Sequence, residues 1–153
     1  MPLEIERKFL VKKELLPQFY DGVTVKQAYL SVAPAPTVRV RLWGEKAFIT
    51  IKGLMTGICR NEFEYQIPHN EAIELFNLAI TDPVEKVRKF FYFEGKKWEI
   101  DFFEGANKGL ILAEVELDSE NENVVLPDWI DKEVSNDSRY FNSQLALCPF
   151  KKW

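Results

Sequence analysis

Alternation with a period of two runs through most of the chain. Eight segments put apolar side chains on one face and polar or charged ones on the other, as strands do. Leu3 to Val11 sets Glu4, Glu6 and Lys8 against Leu3, Ile5 and Phe9, with Arg7 interrupting the apolar side. Val23 to Val32 groups Val25, Gln27, Tyr29 and Ser31. Val38 to Trp43 carries Arg39 and Arg41 opposite Val38, Val40 and Leu42, and Gly44-Glu45 reads as a tight hairpin loop. The return, Lys46 to Gly53, turns Phe48, Thr50 and Lys52 away from Ala47, Ile49 and Ile51. After a turn over Gly53 to Gly57, Ile58 to Ile67 sets Arg60, Glu62, Glu64 and Gln66 against Phe63, Tyr65 and Ile67. Val84 to Phe93 faces Lys86 and Arg88 away from Val87, Phe91 and Phe93, and Glu94-Gly95-Lys96 makes the next turn. Lys97 to Phe103 has Glu99 and Asp101 opposite Trp98, Ile100 and Phe102. Gly109 to Leu117 has Glu114 and Glu116 opposite Ile111, Ala113, Val115 and Leu117.

The remaining stretches change the period. Lys13-Glu14-Leu15-Leu16 reads as a helical turn ended by Pro17, and Pro34-Ala35-Pro36 breaks the second strand because proline cannot donate to a ladder. Asn70 is placed to cap a helix whose apolar positions are Ala72, Ile73, Leu75, Phe76, Ala79 and Ile80, with Pro83 beyond its end. Pro127-Asp128-Trp129-Ile130 reads as one helical turn. A terminal helix is expected over Asn136 to Leu147, ended by Pro149, its Tyr140, Phe141, Leu145 and Ala146 covering apolar barrel wall. With no linker, repeat or low-complexity segment, residues 1–153 read as one domain. An even number of strands suits closure. The expected fold is therefore mainly β with α additions, an eight-stranded antiparallel barrel under a few covering helices.

Composition narrows the class. A hydrophobic share of 46% excludes a disordered chain, and a net charge of −4 argues against nucleic-acid or membrane-surface partners. Cys59 and Cys148 lack metal-ligand spacing and suit a reducing compartment, and the lone His69 reads as a surface turn residue. No signal peptide or apolar run of spanning length is seen, so the expectation is a soluble cytoplasmic protein.

The charges are more informative than their sum. One face of each strand collects carboxylates at Glu4, Glu6, Glu62, Glu64, Glu99, Asp101, Glu114 and Glu116, and cations at Lys8, Arg39, Arg41, Lys52, Arg60, Lys86 and Arg88. Turning these faces inward makes a charged tunnel; the alternative is an open sheet whose charged faces meet water. Burying an ion costs several kcal/mol even after relaxation. A dry, unpaired set this large would exceed a typical net stability of about 5–15 kcal/mol. Such an interior must be wet, paired or filled. Converging Arg and Lys suit phosphate oxygens, and converging carboxylates suit Mg²⁺ or Mn²⁺. A polyphosphate with its metal satisfies both sets. Glu4 and Glu6, about 6.6 Å apart along one strand face, are spaced to share the ion.

In this order the motifs resemble the CYTH family of triphosphate tunnel metalloenzymes. Glu4-Ile5-Glu6-Arg7-Lys8 fits that family's ExExK signature, and Arg39-Val40-Arg41, Thr50-Ile51-Lys52, Arg60-Asn61-Glu62-Phe63-Glu64, Lys86-Val87-Arg88, Glu99-Ile100-Asp101 and Glu114-Val115-Glu116 follow. Glu133-Val134-Ser135-Asn136-Asp137, with Tyr140, Asn142, Leu145 and Ala146, is similar to its C-terminal region. The resemblance implies an eight-stranded barrel around a triphosphate tunnel. It assigns metal binding to Glu4, Glu6, Glu114 and Glu116. Lys8, Arg39, Arg41, Lys52, Arg60, Lys86 and Arg88 become the phosphate path. Glu62, Glu64 and Asp101 become supporting carboxylates, and Tyr29 beside Lys86 a catalytic pair. Trp43 and Tyr29 read as wall packing before they read as stacking surfaces. The activity implied is metal-dependent hydrolysis of inorganic triphosphate, by a monomer or homodimer. Three alternatives stay open at this point: a class IV adenylyl cyclase, an organic triphosphatase acting on thiamine triphosphate or nucleotides, and a polyphosphate- or nucleotide-binding module without turnover.

Overall fold

Which faces meet is decided by strand register. The computed structural model describes residues 3–32 and 36–153; the break predicted at Pro34-Ala35 and the lead-in at Met1-Pro2 lie outside the described residues. The strands are β1 (Leu3–Val11), β2 (Gly22–Ser31), β3 (Thr37–Trp43), β4 (Lys46–Lys52), β5 (Cys59–Ile67), β6 (Val84–Phe93), β7 (Lys96–Phe103), β8 (Ile111–Glu116) and β9 (Ile130–Glu133). The first eight form a closed antiparallel ring in the order β5-β4-β3-β2-β6-β7-β8-β1, sealed by Leu3↔Asn61, Glu4↔Arg60 and Ile5↔Cys59 between β1 and β5. The predicted barrel is borne out, with bounds within two residues of those expected. Its charged faces point inward, and Lys8, Arg39, Arg41, Lys86, Arg88, Asp101 and Glu114 are all buried.

Two regions of the outward surface are apolar and covered. Ile5, Phe9, Trp98, Ile100, Ala113 and Val115 pack beneath Trp129 and Ile130, which the strap after β8 carries across them. Over β3 and β4, Val40 and Ala47 lie under Ala72, Leu75 and Phe76 of the connection that holds α1 (His69–Leu75). Each fully buried Val, Ile or Phe among them contributes about 1.5–3 kcal/mol.

Four expectations are corrected. Asn70 is not the cap: the helix starts at His69 after Pro68, makes no side-chain cap bond, and gives way to a 3₁₀ turn at Phe76–Leu78. Pro127 to Ile130 is a turn, not a helix, and Ile130 opens the ninth strand. That strand lies on the edge of β1 through Phe9↔Glu133 and Val11↔Ile130. The terminal helix is broken into a 3₁₀ turn, Ser138–Tyr140, and α2 (Asn142–Leu147), with Phe141 extended between them. Two local bonds explain the break. Asp137 accepts from Arg139 N, and the Tyr140 carbonyl, which a continuous helix would give to Gln144, accepts from Lys8 Nζ at 3.3 Å.

Nor does this segment cover the outer wall. Tyr140 and Leu145 pack with Val84, Phe103, Leu110 and Leu112. Val84, Phe103 and Leu112 share strand faces with Lys86, Asp101 and Glu114, so they belong to the barrel's interior. One end of the lumen is therefore apolar and plugged. Tyr140 bonds to β1, Asn142 bonds to Gln27 of β2, and these strands lie opposite each other in the ring. The segment spans the barrel's end.

Candidate active site

Above the plug lies a cavity of about 210 Å³, lined by side chains from all eight barrel strands and from the stretch Phe141 to Ser143. Its two sides carry opposite charge. From β3, Arg39 and Arg41 enter the cavity, both buried. Arg39 donates to Thr50 Oγ1 at 3.2 Å and comes only within 3.8 Å of Glu64. Arg41 donates from Nε to Gln27 Oε1 at 2.8 Å and has no carboxylate within ion-pairing distance among the described residues. Burial, with Arg39 and Arg88 nearby, pushes Arg41 down to about 9, so it stays charged at neutral pH.

The opposite side, on β1 and β8, is acidic. Glu6 faces Glu116 and Lys8 faces Glu114 across the strand pair. Glu4 is held between Lys52 (3.0 Å) and Arg60 (3.3 Å). Burial disfavours its charge, but those cations outweigh that and bring it to about 2. Burial likewise opposes ionisation of Glu114, yet Lys8 at 3.6 Å and Arg88 at 3.8 Å keep it well below the usual range. Glu6 has no ion pair among the described residues. Burial, then Glu114 and Glu4, pushes it up to about 8. Burial and the nearby Glu4 and Glu99 also raise Glu116. Glu62 approaches Lys52 at 3.3 Å and is raised by burial, while Glu64 accepts from Thr50 at 2.8 Å.

Between the two sides Arg88 is clamped. Its Nε and NH2 bond Asp101 at 2.7 and 2.8 Å, and its NH1 bonds Glu99 at 2.8 Å, which raises it further above the ordinary arginine range. Asp101 also takes Lys86 Nζ at 2.7 Å. Burial lowers Lys86 to about 7, aided by Arg88 and Arg41 and opposed by Asp101.

A model of the CYTH domain matches residues 2–145. The chain belongs to the CYTH family. It is 44% identical to an inorganic triphosphatase of Acetivibrio thermocellus, across 100% of this chain and 99% of that protein. To an inorganic triphosphatase of Nitrosomonas europaea it is 37% identical, across 94% of this chain and 97% of that one. A solved structure of an inorganic triphosphatase superposes with a TM-score of 0.69 at 34% identity, covering 96% of each chain. CYTH triphosphatases are in general metal-dependent.

For the CYTH site, the structure brings Glu4, Glu6, Lys8, Tyr29, Arg39, Arg41, Lys52, Arg60, Glu62, Glu64, Arg88, Glu114 and Glu116 onto one cavity wall. It does not bring Lys86 or Asp101 there. They form a fully buried pair behind it, Lys86 reaching Asn142 Oδ1 at 3.1 Å. No three His, Cys, Asp or Glu side chains among the described residues are assembled around a metal position, because Glu4 and Glu114 are turned to their cations. The donor chemistry still fits a hard divalent ion: several carboxylates face one cavity, and Glu6 lacks the cation that would let it ionise. Sequence reasoning missed Trp43 as a site residue. It lines the cavity with its ring centroid 5.7 Å from both Arg41 and Arg88. It also missed the roles of Gln27, which it placed only on the face of Tyr29, and of Asn142, which it named only among the residues similar to the family's C-terminal region. Gln27 Nε2 donates to Asn142 Oδ1 at 2.8 Å, which links Arg41 to Lys86 through two amides.

Proposed function

We propose that this protein hydrolyses inorganic triphosphate with the help of Mg²⁺ or Mn²⁺. One observation carries the reading: Arg41 is a buried, charged guanidinium that faces the cavity with no carboxylate partner among the described residues. A buried cation of this kind calls for an anion from outside. Arg39 beside it multiplies the charge, as a polyanion requires, and the inorganic triphosphatases among its relatives name the polyanion.

Arg39 and Arg41 then bind the phosphates on one side, and Lys8, Lys52, Arg60 and Arg88 complete the phosphate path. Glu4, Glu6, Glu114 and Glu116 would hold the divalent ion, which when bound neutralises phosphate oxygens and activates water. For Glu4 and Glu114 that means exchanging their present cations, which turns Lys52, Arg60 and Lys8 toward phosphate, while Arg88 keeps its bonds to Asp101 and Glu99. Catalytic roles for Tyr29 and Lys86 belong to the same proposal. Tyr29 lies on the wall, while Lys86, buried behind it against Asp101 and Asn142, acts on the reacting phosphate through them. Glu62, Glu64 and Asp101 support the cations. A cytoplasmic, single-domain protein, monomeric or homodimeric, completes the reading; no helix among the described residues is long and apolar enough to cross a membrane.

Phosphate release from inorganic triphosphate, ATP and thiamine triphosphate, each with Mg²⁺, with Mn²⁺ and in EDTA, tests this. Inorganic triphosphate should be turned over fastest, and only with metal. Binding without phosphate release would make the protein a module, and cyclic nucleotide formed from ATP would make it a cyclase.

A further inference from the structure

The amide relay has a direction that its donors enforce. Arg41 Nε can only donate, so the Gln27 atom facing it at 2.8 Å is the carbonyl oxygen. The other end of Gln27 is then its NH₂ group, which must meet an acceptor, and that is Asn142 Oδ1. Lys86 Nζ donates to the same oxygen at 3.1 Å, the atom that the Gln27 bond already fixes as the acceptor. Two donors from two strands thus pin Asn142 Oδ1, and the amide cannot flip without setting donor against donor. Its Nδ2 points the other way and has no acceptor among the described residues, while Asn142 itself lines the cavity at the plugged end.

We propose that Asn142 touches the substrate, its Nδ2 group donating a hydrogen bond to a phosphate oxygen of triphosphate at the closed end of the tunnel. The inference rests on the triphosphatase reading and adds to it a neutral contact carried by the C-terminal segment. A pinned amide presents only a donor, so it accepts an ionised oxygen without adding charge to an already cationic wall. Its two partners tie it to the charged wall: Gln27 also holds Arg41, and Lys86 is itself held by Asp101.

Asn142→Asp separates this role from a strut. The aspartate keeps an oxygen for Gln27 and Lys86 but replaces the donor with a second acceptor. With inorganic triphosphate, KM should rise about ten- to a hundredfold, the loss expected for one hydrogen bond to a charged group. A melting temperature near wild type would show the plug intact, and kcat should change far less than KM, because the contact is made in ground and transition states alike. Asn142→Ala, which removes the donor without adding a charge, should show a comparable rise, so that repulsion by the new carboxylate is not its source. A KM within about twofold of wild type, or a rise confined to Asn142→Asp, overturns the proposal. Should the variant fail to fold, the wild-type protein decides it by NMR: the Asn142 side-chain amide protons must move downfield on saturation with triphosphate, and unmoved resonances overturn the contact. Wild-type protein that neither binds nor hydrolyses triphosphate would instead remove the underlying reading.

Discussion

Replacing Arg41 with methionine should make the free protein more stable while it disables the site. Methionine keeps an unbranched chain of similar reach and removes the charge. Arg41 is 8% exposed, and burial, with Arg39 and Arg88 nearby, depresses it from the ordinary arginine range to about 9, the direction expected of a charge its surroundings tolerate poorly. At about 1.36 kcal/mol per pH unit this is on the order of 5 kcal/mol. Against it stands the bond to Gln27, whose loss leaves an amide oxygen without its donor, at about 1–3 kcal/mol. The balance favours the variant by about 2–4 kcal/mol, and about 2–4 °C per kcal/mol in a chain of this size predicts a melting point at least several degrees higher. Triphosphate should then raise the melting temperature of wild type but hardly that of Arg41→Met, since binding stabilises only in proportion to affinity. Thermal melts with and without triphosphate read both effects. A variant that melts several degrees below wild type would refute the reasoning, because Arg41 would then be held by stabilising partners and not waiting for an anion.

Lys86→Ala should lower kcat more than it raises KM, and Tyr29→Phe should show a milder form of the same signature; a change in KM alone would return Lys86 to the binding residues. The stability of wild type relative to Lys86→Met should rise with pH. The folded-state value of Lys86 lies near 7, below that of the unfolded chain, so the folded state holds fewer protons above pH 7 and gains up to about 1.4 kcal/mol per pH unit. Urea unfolding of both proteins at pH 6 to 9 checks this, and parallel curves would contradict it. Glu4→Gln and Glu6→Gln should abolish turnover with circular dichroism unchanged, and wild-type activity surviving excess EDTA would remove the metal from the scheme.

Strands were legible because side-chain alternation is a local property of the chain. Arg39, Arg41 and Thr50 sit on the face where period two puts them, and register then sets Arg39 beside Thr50 and Thr50 beside Glu64. Ion pairing was less legible because it depends on tilt and reach as well as on face. Arg88 bonds Asp101, its direct cross-strand partner, but also reaches Glu99 and Glu114. β9 was invisible for a plainer reason. Three of its four residues are exposed and charged, so Ile130–Glu133 carries no alternation, and it becomes a strand only because the free edge of β1 accepts it.

The plug is the part of the site that pattern reading should have reached and did not. Along β6 the inward positions run Val84, Lys86, Arg88; along β7 they run Phe103, Asp101, Glu99; along β8 they run Leu112, Glu114, Glu116. Each begins apolar and becomes charged toward the same end of the barrel. Reading each face as a single class hid that gradient, and with it the demand for an apolar partner that Tyr140 and Leu145 meet. The gradient has an electrostatic consequence. A lumen open to water at both ends would leave its guanidiniums in a high dielectric, where each phosphate contact is weak. Sealing one end with Leu145 and Tyr140 lowers the dielectric around Arg41, Lys86 and Arg88, which strengthens every charge interaction there and makes an uncompensated cation more costly. The pressure on Arg41 and the closure of the barrel are thus one feature: the plug that stabilises the end of the fold also makes the empty site electrostatically unsatisfied, and a bound polyanion relieves that strain.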